Sequence, residues 1–320
     1  MQILIIGGGG MIGARLARKL AARGEMNGTP IAGLTLADMH APDAPDAPFP
    51  VTTLAADITR AEGRQALLAA RPDVIFQLAA IVSGAAEADF DLGYRVNLSG
   101  VQALLEDIRA TATCPVVIST SSVAVFGGAL PEVVPDTHHL TPQSSYGTQK
   151  AMAELLLADH TRKGHLDGRT VRLPTITVRP GAPNAAASSF VSGIIREPLA
   201  GQAAVLPVPR DTGLWIASPD CAVDTLIHAA GLPRGALGAG AAVNGRGLTV
   251  TAGEMLKALG RLAGPEVLAR VQDQPDETIT AIVGSWPRAF SCDAARALGF
   301  PVDADIDAII SAHMNEHPAP

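Results

Sequence analysis

Tyr146-Gly147-Thr148-Gln149-Lys150 places a phenol and an ammonium four residues apart, neighbours on one face if the segment is helical. A phenol accepts a proton near neutral pH only when its pKa falls well below the ordinary value of about 10. Positive charge from Lys150, and from any cationic ring held beside it, stabilises the phenolate and brings that fall. The pair therefore suits removal of a hydroxyl proton from an alcohol that loses a hydride in the same step. Ser122, just past the apolar run Pro115-Val116-Val117-Ile118-Ser119-Thr120, can hold such an alcohol against the phenol. Tyrosine and lysine meet at this spacing by chance in many helices. The assignment therefore depends on the elements that position them, and Tyr146 is one of only two tyrosines in the chain.

The first of those elements is at the N-terminus. Ile3-Leu4-Ile5-Ile6 reads as a buried strand, Gly7-Gly8-Gly9-Gly10-Met11-Ile12-Gly13 as a tight turn, and the following residues as an amphipathic helix. In that context the glycines serve the turn, the close approach of backbone to a pyrophosphate, and helix–strand packing. The helix start offers unpaired N–H groups to phosphates. Gly33-Leu34-Thr35-Leu36-Ala37 is a second strand ending at Asp38. An acidic side chain there accepts both ribose hydroxyls of NAD and repels the extra phosphate of NADP. Asp38 follows Gly13 by 25 residues, a late position that a loop insertion at Met26-Asn27-Gly28-Thr29-Pro30 accounts for. Asp57, closing a third strand that begins at Val51, is placed to meet the adenine edge together with Ile58.

Further strands are expected at 73–80, 115–120 and 170–178, and helices from about Phe90 to Ala110 and from Tyr146 onward. The segment His40 to Pro50 holds four prolines and must loop. Regular alternation of strand and helix predicts an α/β fold with a doubly wound parallel sheet. Residues 1–180 form the expected dinucleotide-binding domain with Tyr146 and Lys150. Residues 181–320, where the pattern loosens, form mainly a smaller substrate-binding subdomain.

The chain has 320 residues, 48% of them hydrophobic and 17% charged, enough for a sizeable core. Its formal charge of −7 argues against nucleic acid or an anionic membrane surface as partner. Arg15, Arg18, Lys19 and Arg23 read as a solvated helix face. Cys114, Cys221 and Cys292 are isolated, no apolar stretch approaches a membrane span, and no signal peptide is visible, so a reducing cytoplasm is expected. No metal is expected: His313 and His317 lack a third ligand, and Asp303, Asp305 and Asp307 lack the Gly and Glu that a calcium loop requires.

In family order the chain resembles the extended short-chain dehydrogenases/reductases, which include nucleotide-sugar epimerases and dehydratases. The resemblance rests on Gly7, Gly10 and Gly13, Leu78-Ala79-Ala80, Asn97, Ser121-Ser122-Val123-Ala124-Val125-Phe126-Gly127, and Tyr146 with Lys150. It implies a catalytic triad of Ser122, Tyr146 and Lys150. It also implies that Ala79, Ala80, Pro174 and Thr175 line the nicotinamide pocket, that Asn97 lies near the cofactor, and that the protein is a homodimer built on the helix near 90–110 and the Tyr146 helix. Phe126 stands where nucleotide-sugar enzymes often carry tyrosine.

Within that family a narrower resemblance, to the D-erythronate dehydrogenases, covers nearly the whole chain. It rests on the segments 81–90, Arg172-Leu173-Pro174-Thr175-Ile176-Thr177-Val178-Arg179-Pro180-Gly181, and Pro183-Asn184-Ala185-Ala186-Ala187-Ser188-Ser189-Phe190. It implies NAD-dependent oxidation at C2 of a four-carbon sugar acid, with Tyr146 as general base. Such a substrate needs one cation for its carboxylate, and Arg179 and Arg196 are the candidates. Ser83, Thr177, Asn184, Ser188 and Ser189 are candidate hydroxyl partners. The segment Arg210-Asp211-Thr212-Gly213-Leu214-Trp215 departs from the R-D-F-x-H pattern common in nucleotide-sugar enzymes. A nucleotide-sugar epimerase or dehydratase with tightly held NAD is the alternative, and a non-catalytic NAD-binding sensor a further one.

Overall fold

The computed structural model describes residues 1–181 and 188–318. Seven parallel strands form the main sheet: β1 (Gln2–Ile6), β2 (Gly33–Asp38), β3 (Val51–Ala55), β4 (Val74–Gln77), β5 (Val116–Ser122), β6 (Asp167–Leu173) and β7 (Ala242–Asn244). Their order is β7-β6-β5-β4-β1-β2-β3. The direction of winding reverses between β1 and β4, which opens a crevice at the strands' carboxyl ends. The expected doubly wound α/β fold is present. Both faces of β1 are buried, Ile3 and Ile5 under one layer of helices and Leu4 and Ile6 under the other, as a sheet covered on both sides requires.

Local details differ from the sequence reading in instructive ways. Met26 to Pro30 is not a loose insertion. Glu25–Met26 pairs with Thr29–Pro30, and Asn27 (φ 52°) and Gly28 (φ 77°) supply the two left-handed residues of a tight hairpin. The expected strand over 170–178 is two strands. Pro174, which has no N–H to give a ladder, ends β6, and Thr175–Ile176 joins a second sheet alongside Gly213–Ala217. The helix after Phe90 contains a wider turn at Arg95–Gly100 before it resumes as Val101–Thr111.

A second layer is built from the three-stranded sheet of Thr175–Ile176, Gly213–Ala217 and Leu248–Thr251, with helices Ser189–Leu199, Ala252–Ala263 and Ile306–Glu316. Ile194, Ile195, Leu214, Met255, Leu259 and Ile310 pack its core. Thr251 and Glu254 close a reciprocal capping box at the start of Ala252–Ala263, an arrangement worth about 1 kcal/mol. Residues beyond 181 also serve the main sheet: β7 pairs with β6, and helix Pro219–Gly231 packs on the first helix, Met11–Arg23.

Three of the four basic residues of that first helix are paired rather than solvated, while Arg18 stays exposed. Arg15 meets Asp220 at 2.9 Å and Glu316 at 2.6 Å, and Lys19 and Arg23 both meet Asp224. The Arg15–Glu316 pair fastens the last helix onto the first, across 301 residues of chain, and the two aspartates fasten helix Pro219–Gly231 onto it. No described helix is long and apolar enough to cross a membrane.

Candidate active site

Two positions of the glycine turn are packed too tightly for any side chain. A Cβ on Gly7 would lie 2.7 Å from the Ala79 nitrogen, and one on Gly13 only 2.1 Å from the Gly7 carbonyl oxygen. The first helix begins at Met11 and Ile12, with Gly10 as its N-cap, no side-chain cap and no acidic residue in the first turn. Its N–H groups are left for an anion. Asp38 lies over this turn: its Oδ2 accepts the Gly9 N–H at 3.0 Å and its Oδ1 the Met39 N–H at 2.7 Å.

A cleft of about 340 Å³ opens here, lined by Gly7, Gly10, Asp38, Asp57, Ile58, Leu78, Ala79 and Ala80 among others. Those eight are all residues that sequence reasoning singled out. It missed Leu92, Arg95 and Val96, which also line the cleft. Their i, i+3, i+4 spacing was the available signal. Glycine turn, uncapped helix start and a carboxylate on the cleft wall together fit NAD. Asp38→Ser is expected to weaken NAD binding about tenfold, the loss of a hydrogen bond to a charged group, and to narrow the preference over NADP. Calorimetric titration with each dinucleotide checks this.

Four contacts assemble the candidate catalytic group of Ser122, Tyr146 and Lys150. Ser122 is the last residue of β5, and its Oγ accepts the Ala124 N–H at 3.1 Å. The helix Ser145–Arg162 starts with Ser144 as cap, its Oγ accepting the Gly147 N–H. Gly147 then seats the first turn directly on the backbone beyond Ser122: a Cβ there would stand 2.1 Å from the Ala124 carbonyl oxygen. One turn later Lys150, 8% exposed, donates from Nζ to the Thr120 carbonyl at 2.9 Å. Gly147 and Lys150 are thus docked two residues to either side of Ser122. The Lys150 Nζ also stands 5.7 Å from the centre of the Tyr146 ring.

Desolvation acts on both groups in opposite directions. It pushes the Tyr146 phenol up to about 12 and pulls the Lys150 ammonium down to about 8, the latter opposed by Glu154. In the free protein the phenol therefore holds its proton, and only added positive charge would bring its pKa down.

Asn97 stands behind the cleft wall rather than on it. Its side chain accepts the Ile81 N–H (2.8 Å), donates to the Ile81 carbonyl (3.0 Å) and donates to Gln149 Oε1 (2.8 Å). It clamps the segment after β4 to the helix Ser145–Arg162. The wide turn Arg95–Gly100 carries this residue.

The substrate candidates separate clearly. Thr177 is corrected: it is fully buried, and its Oγ1 reaches the Val191 carbonyl at 3.1 Å and Ser192 Oγ at 3.2 Å, which holds a helix rather than a ligand. Pro174 and Thr175 lie at the step between the two sheets, outside the walls of the 340 Å³ cleft. Arg196 is committed, with Nη2 on Glu197 at 2.6 Å and Nη1 on the Arg179 carbonyl at 2.7 Å. Arg179 Nη2 meets the Ser188 carbonyl (2.9 Å) and Oγ (3.3 Å), and among the described residues it meets no carboxylate. Burial, then the neighbouring Arg196 charge, lowers its pKa. Ser83 begins the short helix Ser83–Ala88 just past the cleft wall, and Ser189 the helix Ser189–Leu199. Asn184 lies outside the described residues.

His313 and His317 stack with ring centres 4.6 Å apart on the last helix. Asp303 accepts the Ser218 N–H, Asp305 caps that last helix, and Asp307 pairs with Arg261.

Comparison with known proteins agrees with this architecture. A D-erythronate dehydrogenase of Cupriavidus necator is 50% identical over 99% of this chain and 98% of its own length. One of Haemophilus influenzae is 44% identical over 97% of this chain and 98% of its own. The solved structure of a nucleoside-diphosphate-sugar epimerase from Agrobacterium tumefaciens superposes with a TM-score of 0.96 at 46% identity, covering 99% of this chain and 94% of that one. Residues 3–214, which hold the glycine turn, Asp38, Ser122, Tyr146, Lys150 and Arg179, match the model of one family. The chain belongs to the NAD dependent epimerase/dehydratase family.

Proposed function

We propose that the chain oxidises the C2 hydroxyl of D-erythronate, giving 2-dehydro-D-erythronate. Ser122 Oγ holds the substrate hydroxyl, Tyr146 takes its proton, and Lys150 favours the phenolate and binds the cofactor ribose. NAD, when bound, supplies the hydride acceptor and a cationic ring near the phenol. Arg179 anchors the substrate carboxylate, with Ser83, Ser188 and Ser189 as hydroxyl partners. The observation that carries the choice of an acid is Arg179 itself: a desolvated guanidinium with no carboxylate partner among the described residues, beside a second arginine that already has one. The activity named for the two dehydrogenase relatives supports the four-carbon acid.

The layer built largely from residues beyond 181 closes over this substrate in the proposed arrangement. A homodimer is supported by Phe90 and Leu155, 56% and 67% exposed, on the two helices that would meet a second copy. A reducing cytoplasm suits three unpaired cysteines.

A second reading, a nucleotide-sugar epimerase that regenerates its NAD each cycle, is favoured by the name of the Agrobacterium tumefaciens structure. NADH absorbance separates the two. Purified protein is given NAD with D-erythronate, D-threonate, L-threonate or UDP-sugars. Steady NADH formation on D-erythronate is the expected result. Interconversion of a UDP-sugar without net NADH, and silence on the acids, would replace the first reading with the second.

A further inference from the structure

One turn beyond Lys150 the catalytic helix carries Glu154, 4% exposed. Both of its oxygens accept from Arg172 of β6: Nε lies at 3.0 and 3.1 Å, and Nη2 at 2.7 Å. The other Arg172 amino group donates to Asn244 of β7 at 3.2 Å, and Asn244 donates to Asp136 at 3.0 Å. The Arg172 guanidinium also stands 5.3 Å from the centre of the Phe126 ring, on the segment that follows Ser122. One arginine therefore ties together the helix of Tyr146 and Lys150, the chain beyond Ser122, and the outer strand of the sheet. A buried ion pair adds little net stability over apolar residues of equal volume, so stability alone gives weak reason for one at this position.

We propose that Glu154 is a positioning residue that keeps Lys150 in its charged form beside Tyr146, and that Arg172 sets the strength of that field by fixing the carboxylate and offsetting part of its charge. The proposal rests on the roles given above to Tyr146 and Lys150. Burial alone lowers the ammonium, and Glu154 is the charge that opposes the fall. Lys150 itself meets Tyr146 on its own helix and the Thr120 carbonyl of β5, while Arg172 of β6 is linked to it through Glu154, with Asn244 of β7 and Asp136 behind that arginine. At the helix start Glu87 accepts the Ser145 N–H. The aligned series phenol, ammonium, carboxylate repeats every four residues down one helix face, and the carboxylate end is clamped.

Glu154→Gln keeps the shape of the side chain and removes its charge. Lys150 is then titrated in the cofactor-free protein from the pH dependence of its acetylation by trace acetic anhydride, read by peptide mass spectrometry. Its midpoint is expected to fall by about half a pH unit or more. The alkaline limb of kcat for D-erythronate oxidation is expected to move down with it. Arg172→Gln exposes Lys150 to an unbalanced carboxylate and is expected to shift both upward. If Glu154→Gln does not fold, Arg172→Gln carries the test through that opposite sign. A Lys150 midpoint unmoved in the folded variants, with activity reduced evenly across pH, overturns the proposal and leaves the pair as packing. Failure of the underlying assignment has a different signature: Lys150→Met and Tyr146→Phe would oxidise at the wild-type rate while the Lys150 midpoint still moved in Glu154→Gln.

Discussion

Tyr146→Phe is expected to lower kcat for D-erythronate oxidation by about 10²–10⁴-fold, the range for loss of a positioned general base. The fold and the affinity for NAD should hold. The reason lies in what the substitution leaves in place. The phenylalanine ring fills the same volume above Lys150, Gly147 still seats the helix on Ala124, and Lys150 still bonds Thr120. No described residue hydrogen-bonds the Tyr146 hydroxyl, so the deletion orphans no partner. Chemistry is lost without packing, and a thermal melt with NAD titration beside the rate measurement tests that separation. A kcat within about tenfold of wild type would remove Tyr146 from the proton path. The pH dependence adds a sign. The phenol is raised to about 12 in the free protein and the ammonium is lowered to about 8. In that order Lys150 would lose its charge before the phenolate formed, so the profile depends on the positive charge that NAD adds. With NAD bound the phenol is expected to fall below the ammonium, and oxidation should rise with pH as the phenolate forms and turn down where Lys150 loses its charge.

Arg179→Gln is expected to raise KM for the acid by about ten- to a hundredfold, the worth of a charge-assisted hydrogen bond, with a smaller change in kcat. Its effect on stability should run the other way. In the free protein the Arg179 guanidinium is desolvated beside a like charge, so removing it should hold or raise Tm. A site kept at a cost to the free protein is expected where a ligand supplies the missing charge. D-erythronate should stabilise the wild type against heat and fail to stabilise the variant. Arg196→Gln is the contrast. It strips the Glu197 carboxylate of its partner and releases the Arg179 carbonyl, so it should cost stability first, about 3–5 kcal/mol for a broken buried pair. If Arg196→Gln instead raised KM at unchanged Tm while Arg179→Gln did not, the anchor would be Arg196.

Much of this protein is legible in the chain because the informative patterns are local. Apolar runs followed by Gly7–Gly13, by Asp38 and by Ser122 are strand ends, and the spacing of Tyr146 and Lys150 puts them on one helix face. These follow from strand and helix periodicity, which the backbone imposes within a few residues. The alternation of elements then leaves few topologies open, and the crevice falls where the winding reverses. Tertiary structure decided everything that required knowing a distant partner. Thr177 and Arg179 are near neighbours in sequence and both polar, yet one is closed off by Val191 and Ser192 while the other, among the described residues, meets no carboxylate. Asn97 has the composition of a ligand and acts as a clamp on Ile81 and Gln149. The basic face of the first helix looks solvated until Asp220, Asp224 and Glu316 arrive from the far end of the chain. Glu154 and Arg172, 18 residues apart, give no sign of their pairing. Spacing determines the direction in which a side chain points. What meets it there is set by packing of segments tens to hundreds of residues away, and that contact decides whether a polar group is a ligand, a clamp or a source of charge.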